Sequence, residues 1–298
     1  MHPLLIDFGT VELPFFGPVH LALPSYGLFV ATAVIVAWLW FTRRAMHDGI
    51  DADAASQVAF WTLLGGLGGG KLGLLVVEAP YYLAHPGEML SMNFVQAAGV
   101  VWAAVIGGAA AMLVSSWRGG LPIARLLDAA AVTIPVGQAI GRVGCLMAGC
   151  CFGGRCAAPW AITYFSREAA RRTGVPLGVA LHPTPIYEIL WSLGVVLPLT
   201  ALASRKRRNP GEAALVYFAA YSVGRFAIEF FRGDSVRGLW FGGTISTSQL
   251  ISLIIAPLAV AGWLWLRRRD IAAEERPAIE ELPSAEPAPP PPEEDPAP

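Results

Sequence analysis

The chain has 298 residues, 55% of them hydrophobic and only 14% charged, with a mean hydropathy of +0.53. Soluble domains carry about 25% charged residues, so the composition excludes an ordinary soluble protein and reads as an all-α polytopic membrane protein. The net charge of −1 hides two unlike parts, +7 over residues 1–269 and −8 from Asp270 onward, and no nucleic-acid partner is expected.

Residues 1–22, with prolines at 3, 14 and 18, are expected to form an interfacial arm. They lack a basic n-region and a small-residue cleavage site, so no cleavable signal peptide is expected. A seven-helix domain should fill residues 23–269. Its spans are expected near 23–41, 58–77, 94–114, 126–147, 185–203, 213–231 and 245–266, each close to the ~20 residues that cross ~30 Å of hydrocarbon. A polar segment, 148–184, separates the fourth and fifth spans. The Pro/Ala/Glu-rich tail 270–298 should be disordered.

Seven spans put the termini on opposite sides. Four connections carry Arg43/Arg44, Arg118/Arg125, residues 205–208 and Arg267–Arg269, eleven positive charges in all. The other side carries Arg155, Arg167, Arg171, Arg172 and Arg237, none tight against a helix end. The positive-inside rule then places the C-terminus in the cytoplasm, and the N-terminus and the 148–184 loop outside. No internal repeat argues for a repeat-built transporter.

Charged residues at membrane depth are functional candidates, and six stand within or at the ends of apolar spans: Lys71, Arg142, Glu188, Arg225, Glu229 and Arg232. Arg142 lies in Gly137–Cys156, GQAIGRVGCLMAGCCFGGRC, where Gly141, Gly144 and their neighbours leave little bulk around it. Arg225 and Glu229 share one helical face. They are either an ion pair that fixes packing or part of a phosphate pocket, since the planar arginine fork grips two oxygens. His182 opens LHPTPIYE, whose prolines suit the start of a helix carrying Tyr187 and Glu188. By itself His182 is equally an exposed interfacial histidine, and Tyr26 a belt anchor. Cys145, Cys150, Cys151 and Cys156 read C-x4-C-C-x4-C, poor spacing for zinc. On the oxidising side a disulfide of Cys156 with Cys150 or Cys151 is expected over a metal site, with a reactive thiol left open.

Taken in order, these stretches resemble the prolipoprotein diacylglyceryl transferase family over about residues 20–268. Ser25-Tyr26-Gly27 resembles its first-helix motif, and Gly69-Gly70-Lys71-Leu72-Gly73 its glycine-glycine-arginine motif with lysine instead. Gly141-Arg142-Val143-Gly144 matches the signature, His182-Pro183 with Tyr187-Glu188 the next block, and Gly224-Arg225 through Arg232 the late arginine–glutamate block. Ile245-Ser246 with Gln249 resembles the start of the last helix. Three further positions depart: Cys145 stands for the family's asparagine, Cys150 for a glutamate, and Trp102 for a histidine.

The resemblance implies an inner-membrane enzyme that moves the diacylglyceryl group of phosphatidylglycerol onto the lipobox cysteine of a preprolipoprotein. It implies Arg142 and Arg225 on the phosphate, Glu229 orienting Arg225, Tyr26 on the headgroup and His182 taking the thiol proton. Gly141, Gly144, Lys71, Arg232, Tyr187 and Glu188 would line the substrate site, with membrane lipid around it and no metal or organic cofactor. The alternative is a divergent member that binds phospholipid, or transfers another group through Cys145 or Cys150.

Overall fold

A computed structural model describes residues 3–13, 17–91, 94–95, 97, 99–234 and 238–269. The acidic tail 270–298 and Arg237 of the charge count lie outside the described residues. Much of the N-terminal arm is an antiparallel hairpin of β1 (Leu4–Leu13) and β2 (Gly17–Pro24), with Asp7 opposite Ala22 and Val11 opposite Val19. Ser25 donates to Pro3 O through its backbone N (3.0 Å) and its Oγ (3.1 Å), tying the hairpin to the first helix.

The helices are α1 (Ser25–His47), α2 (Ala52–Val77), a short α3 (Ala79–Ala84), α4 (Val101–Arg118) and α5 (Ile123–Ala148). After the 148–184 segment come α7 (Thr184–Trp191), α8 (Leu197–Lys206), α9 (Glu212–Glu229) and α10 (Thr247–Arg268). A π turn at Ser192–Val196 makes α7 and α8 one continuous rod. Pro198 explains it: proline lacks an N–H and its ring crowds the carbonyl four residues back, so the backbone widens there. Among the described residues, six helices are long and apolar enough to cross a membrane: α1, α2, α4, α5, the α7–α8 rod and α10. The expected sixth span corresponds to α9, 18 residues long with Glu212, Arg225 and Glu229 within it. Leu72, Val76, Ile106 and Leu258 each expose more than half their surface. In water such a surface would aggregate, whereas in lipid it is the solvated face.

Helix α2 packs on α4 through small residues. A Cβ on Gly65 would stand 2.4 Å from Ala111 Cβ, one on Gly69 2.5 Å from Ala103 O, and one on Gly73 2.4 Å from Ala103 Cβ. Gly65, Gly69 and Gly73, four residues apart, thus form the face that lets two backbones approach. The third span starts at Val101 and not at Phe94, because the chain before it folds across α2. Val100 N donates to Gly70 O at 3.0 Å, and a Cβ on Gly99 would meet Gly70 C at 2.8 Å.

Polar contacts gather at two ends of the bundle. At one end Arg207 bridges Asp48 (2.6 Å) and Asp128 (3.1 Å), Arg267 pairs with Glu212 (2.9 Å), and Arg44 donates to Ser204 Oγ (2.6 Å). These pairs join five helices at the positions of the arginine-rich connections. The other end holds the C-terminal part of α5, the first turns of α7 and the C-terminal half of α9. The 148–184 segment there is more than a polar connection. It contains β3 (Ile162–Thr163) paired with β4 (Ala180–Leu181), α6 (Arg167–Thr173), and a core of Phe152, Tyr164, Ala169, Val175 and Leu181.

Candidate active site

Glu188, on the first turns of α7, is nearly buried and faces three arginines. Its Oε2 accepts from Arg142 Nε at 2.7 Å; its Oε1 lies 3.4 Å from Arg225 Nη1 and 3.9 Å from Arg232 Nη1. Arg225 also pairs with Glu229 Oε2 (2.7 Å) and donates to Ser248 Oγ (3.1 Å). Arg232 donates through Nε to Asp234 Oδ1 at 2.9 Å and through Nη2 to Oδ2. Burial works against charge on Arg232, but the Asp234 carboxylate, together with Cys151 and Glu229, holds its pKa above the ordinary arginine value. Three arginines thus face three carboxylates. No cationic surplus remains among these six side chains.

Burial and pairing separate the arginines. Arg142 keeps 22% of its side chain exposed, Arg225 14% and Arg232 8%. Arg142 meets its carboxylate through Nε, while its Nη1 faces Cys145 Sγ at 4.0 Å and Tyr221 lies alongside. The outer edge of its guanidinium, the edge suited to a two-oxygen grip, is therefore the one turned from Glu188.

Gly153 and Gly154 knit the site together. Gly153 N donates to His182 O (3.0 Å), His182 N to Gly154 O (2.9 Å), Gly154 N to Phe231 O (2.8 Å), and Gly233 N to Phe152 O (3.2 Å). Two backbone segments, around His182 and Phe231, are thereby clamped on the cysteine-bearing loop. His182 Nδ1 lies 3.0 Å from Tyr187 Oη, which accepts from Trp160 Nε1 at 2.9 Å. The His182 and Tyr187 rings both pack on Phe231. Tyr26, in the first turn of α1, lies against Gly144: a Cβ there would stand 3.4 Å from its ring and 3.0 Å from Phe29 Cβ. That close approach explains the glycine and seats Tyr26 beside Arg142 and the cysteines.

Two expected site residues go elsewhere. Lys71 Nζ donates to the carbonyls of Phe94 (2.5 Å), Val95 (3.1 Å) and Ala97 (2.7 Å), so its polar contacts fasten α2 to the segment before α4. The expected disulfide is not formed, and all four cysteines are unbridged. Cys156 turns into its own loop, where its N donates to Ala180 O (3.0 Å) and its Sγ accepts from Ala158 N (3.4 Å). The sulfurs of Cys145, Cys150 and Cys151 instead lie within 4.8 Å of one another. Hydrogen bonding within this trio, then the charges of Arg142 and Arg232, hold the Cys151 thiol well below its ordinary range, and the same sharing pushes Cys150 up.

The prolipoprotein diacylglyceryl transferase family model matches residues 15–265, the stretch holding every group just described. The chain belongs to this family. It is 30% identical to the phosphatidylglycerol–prolipoprotein diacylglyceryl transferase 2 of Clostridium perfringens, over 78% of this chain and 86% of that one. It is 30% identical to the Synechococcus elongatus transferase over 93% and 92%. The Gloeobacter violaceus transferase is 32% identical over 84% and 90%.

Family membership gives the motifs a physical reading. Ser246 and Gln249 form a reciprocal cap at the start of α10, Ser246 N to Gln249 Oε1 at 2.9 Å and Gln249 N to Ser246 Oγ at 3.2 Å. The cap fixes the turn that presents Ser248 to Arg225. Gly224 lets Trp191 cross α9, since a Cβ there would lie 2.0 Å from Trp191 Nε1. Trp102, at the family histidine's position, sits in the first turn of α4 with 44% of its surface exposed. Sequence reasoning missed Asp234, Ser248 and Trp160. Asp234 was findable, standing two residues after Arg232; Ser248 and Trp160 reach the site only through tertiary packing.

Proposed function

We propose that the protein transfers the diacylglyceryl group of phosphatidylglycerol to the lipobox cysteine thiol of preprolipoproteins, in the bacterial inner membrane. Family membership supports the reaction class. The single observation carrying the site assignment is Arg142: half-buried near the end of a membrane helix, anchored through Nε, with its outer edge turned from its carboxylate. A lipid phosphate seated on that edge keeps its charge compensated in a low-dielectric site as the leaving group develops. Arg225 adds a second donor, oriented by Glu229 and Ser248. Arg232, locked by Asp234, closes the far side of Glu188.

The sulfur of the incoming thiol attacks the glyceryl methylene, the carbon–oxygen bond to phosphate breaks, and glycerol phosphate leaves. His182 takes the thiol proton through Nε2, because Tyr187 occupies Nδ1. Tyr26 holds the headgroup. The arginine-rich connections at the opposite end of the bundle support a cytoplasmic C-terminus, with the site and the 148–184 segment facing outward.

The test is complementation of a conditional transferase deletion, with lipid attachment read as the mass shift of a model preprolipoprotein. Wild type should restore lipidation. Arg142→Ala should lower transfer about 100-fold or more, the scale of losing one preorganised donor, and Arg225→Ala somewhat less. Full activity in both variants would sink the phosphate assignment, and well-expressed wild type that fails to complement would sink the transferase reading.

A further inference from the structure

The mechanism above leaves three groups unused: Cys145, Cys150 and Cys151. Their sulfurs converge within 4.8 Å of one another, although the sequence spacing is not that of a usual metal site. The convergence has a backbone cause. Helix α5 ends on Gly149 in the left-handed conformation (φ 77°), and Cys151 follows with φ 56°. A side-chain-bearing residue is strained there, and the surroundings must hold it. They do so through Cys150 N to Cys145 O (3.1 Å) and through Thr184 Oγ1, which donates to Cys151 O. The strain brings the Cys151 sulfur to the other two.

A second observation points at the same spot. Tyr164 is 1% exposed, and its hydroxyl has no hydrogen-bond partner among the described residues. Its ring lies against Gly149, 3.3 Å from where a Cβ would be, and Cys145, Cys150 and Cys151 are close enough to act on it electrostatically. A buried hydroxyl without a partner is costly, and a group bound at the neighbouring cysteines would accept its hydrogen bond. Arg142 stands 4.0 Å from Cys145 Sγ, and Arg232 also faces Cys151.

We infer that Cys145, Cys150 and Cys151 form a three-thiolate zinc site whose fourth position receives the substrate cysteine. Zinc sites that do chemistry keep three protein ligands and an open position. Tetrahedral thiolates ~2.3 Å from zinc stand about 3.8 Å apart, so the trio needs to close by roughly 1 Å at most. A thiol coordinated to zinc is deprotonated outright, which supplies the nucleophile where Trp102 stands in place of a histidine. The substrate S–H bond breaks as the sulfur binds zinc, and the proton passes to His182. The zinc-bound sulfur then attacks the glyceryl methylene, the carbon–oxygen bond breaks with both electrons on the phosphate oxygen, and the thioether leaves the metal. Arg142 sits between the two halves of this reaction, beside the nucleophile's cluster and on the leaving phosphate. Zinc undergoes no redox change, and coordination protects three thiols on an oxidising face.

The inference rests on the transferase reading, so its test separates the two. Full-length protein in detergent is loaded with zinc, and separately with cobalt(II) as a spectroscopic stand-in; bound metal and thiols are counted. Wild type and Cys156→Ser should hold about one metal per chain, with an intense thiolate-to-cobalt charge-transfer band. Cys145→Ser, Cys150→Ser and Cys151→Ser should each lose it while keeping their melting temperature without metal. A lipobox peptide should shift the cobalt spectrum, and its cysteine-to-serine counterpart should not. Metal binding with the peptide shift but no lipid transfer would uphold the site and fail the transferase reading. Full transfer by metal-free enzyme, a missing cobalt band in folded wild type, or a native disulfide within the trio would overturn the zinc site and leave the transferase reading standing. Metal binding without a peptide shift would overturn the open fourth position.

Discussion

Gly153 and Gly154 are neighbours with opposite tolerances, and the pair gives a sharp check on the clamp that assembles the site. A Cβ on Gly153 would lie 2.4 Å from His182 Cβ, 2.5 Å from His182 O and 2.7 Å from Phe231 O. Two of those neighbours are backbone oxygens, which no side-chain rotation moves. Reaching ordinary contact requires a shift of nearly 1 Å in the His182 segment, the Phe231 segment or both. Overpacking of this kind costs about 1–3 kcal/mol, and each ladder hydrogen bond lost adds roughly 0.5–1.5 kcal/mol. A Cβ on Gly154 meets only Phe231 O, at 4.0 Å. Gly153→Ala should therefore lower the apparent melting temperature in detergent by several degrees. It should also cut transfer at least about tenfold, because His182 and Arg232 ride on the displaced segments and a 1 Å misplacement costs up to ~100-fold. Gly154→Ala should match wild type in both. The assays are thermal unfolding of purified protein and mass-shift lipidation of a preprolipoprotein. Wild-type stability and rate in Gly153→Ala, or equal damage from both variants, would refute the clamp.

Three further outcomes follow from charged side chains and their partners. Glu188→Gln removes the carboxylate shared by Arg142, Arg225 and Arg232; losing one partner of a buried pair costs about 3–5 kcal/mol, and both melting temperature and transfer rate should fall. Arg207→Ala strands Asp48 and Asp128, which are 2% and 0% exposed, for a similar loss of stability. It lies at the end away from the site, so transfer per folded molecule should hold, as measured after correcting for the folded fraction. Lys71→Met releases three backbone carbonyls and should lower the melting temperature while leaving the KM for phosphatidylglycerol unchanged; a raised KM with normal stability would return Lys71 to the lipid site.

The parts of this molecule that were legible in its sequence are those fixed by a one-dimensional rule. Span extent follows from apolar length, so α1, α2, α5 and α10 stand near their expected places, while the expected sixth span, α9, is not among the six helices that length and apolarity single out. The arginine–glutamate pair of α9 follows from helical spacing, and its partner Glu188 from a charge at membrane depth. What stayed hidden depends on approach in space. The start of α4 moved to Val101 because Gly70 accepts from Val100 N, a contact no periodicity contains. The 148–184 segment reads as polar yet buries Phe152, Tyr164 and Leu181 in a core of its own.

The cysteines show the same limit most clearly. Spacing along the chain argued against a metal and for a disulfide with Cys156. That argument assumes an ordinary backbone between the ligands. A helix that ends on a left-handed glycine, followed two residues later by a left-handed cysteine, folds five residues back on themselves and makes neighbours of Cys145, Cys150 and Cys151, while Cys156 is carried into β-type pairing with Ala180. Two of the three converging sulfurs stand where the family places an asparagine and a glutamate, and the third is adjacent. These two departures from the family pattern put sulfur at one place, beside Arg142. A loss of function would scatter unrelated side chains over those positions. Three convergent thiols held by a strained backbone, under a buried tyrosine hydroxyl without a partner, are what a change in how the nucleophile is activated would leave behind.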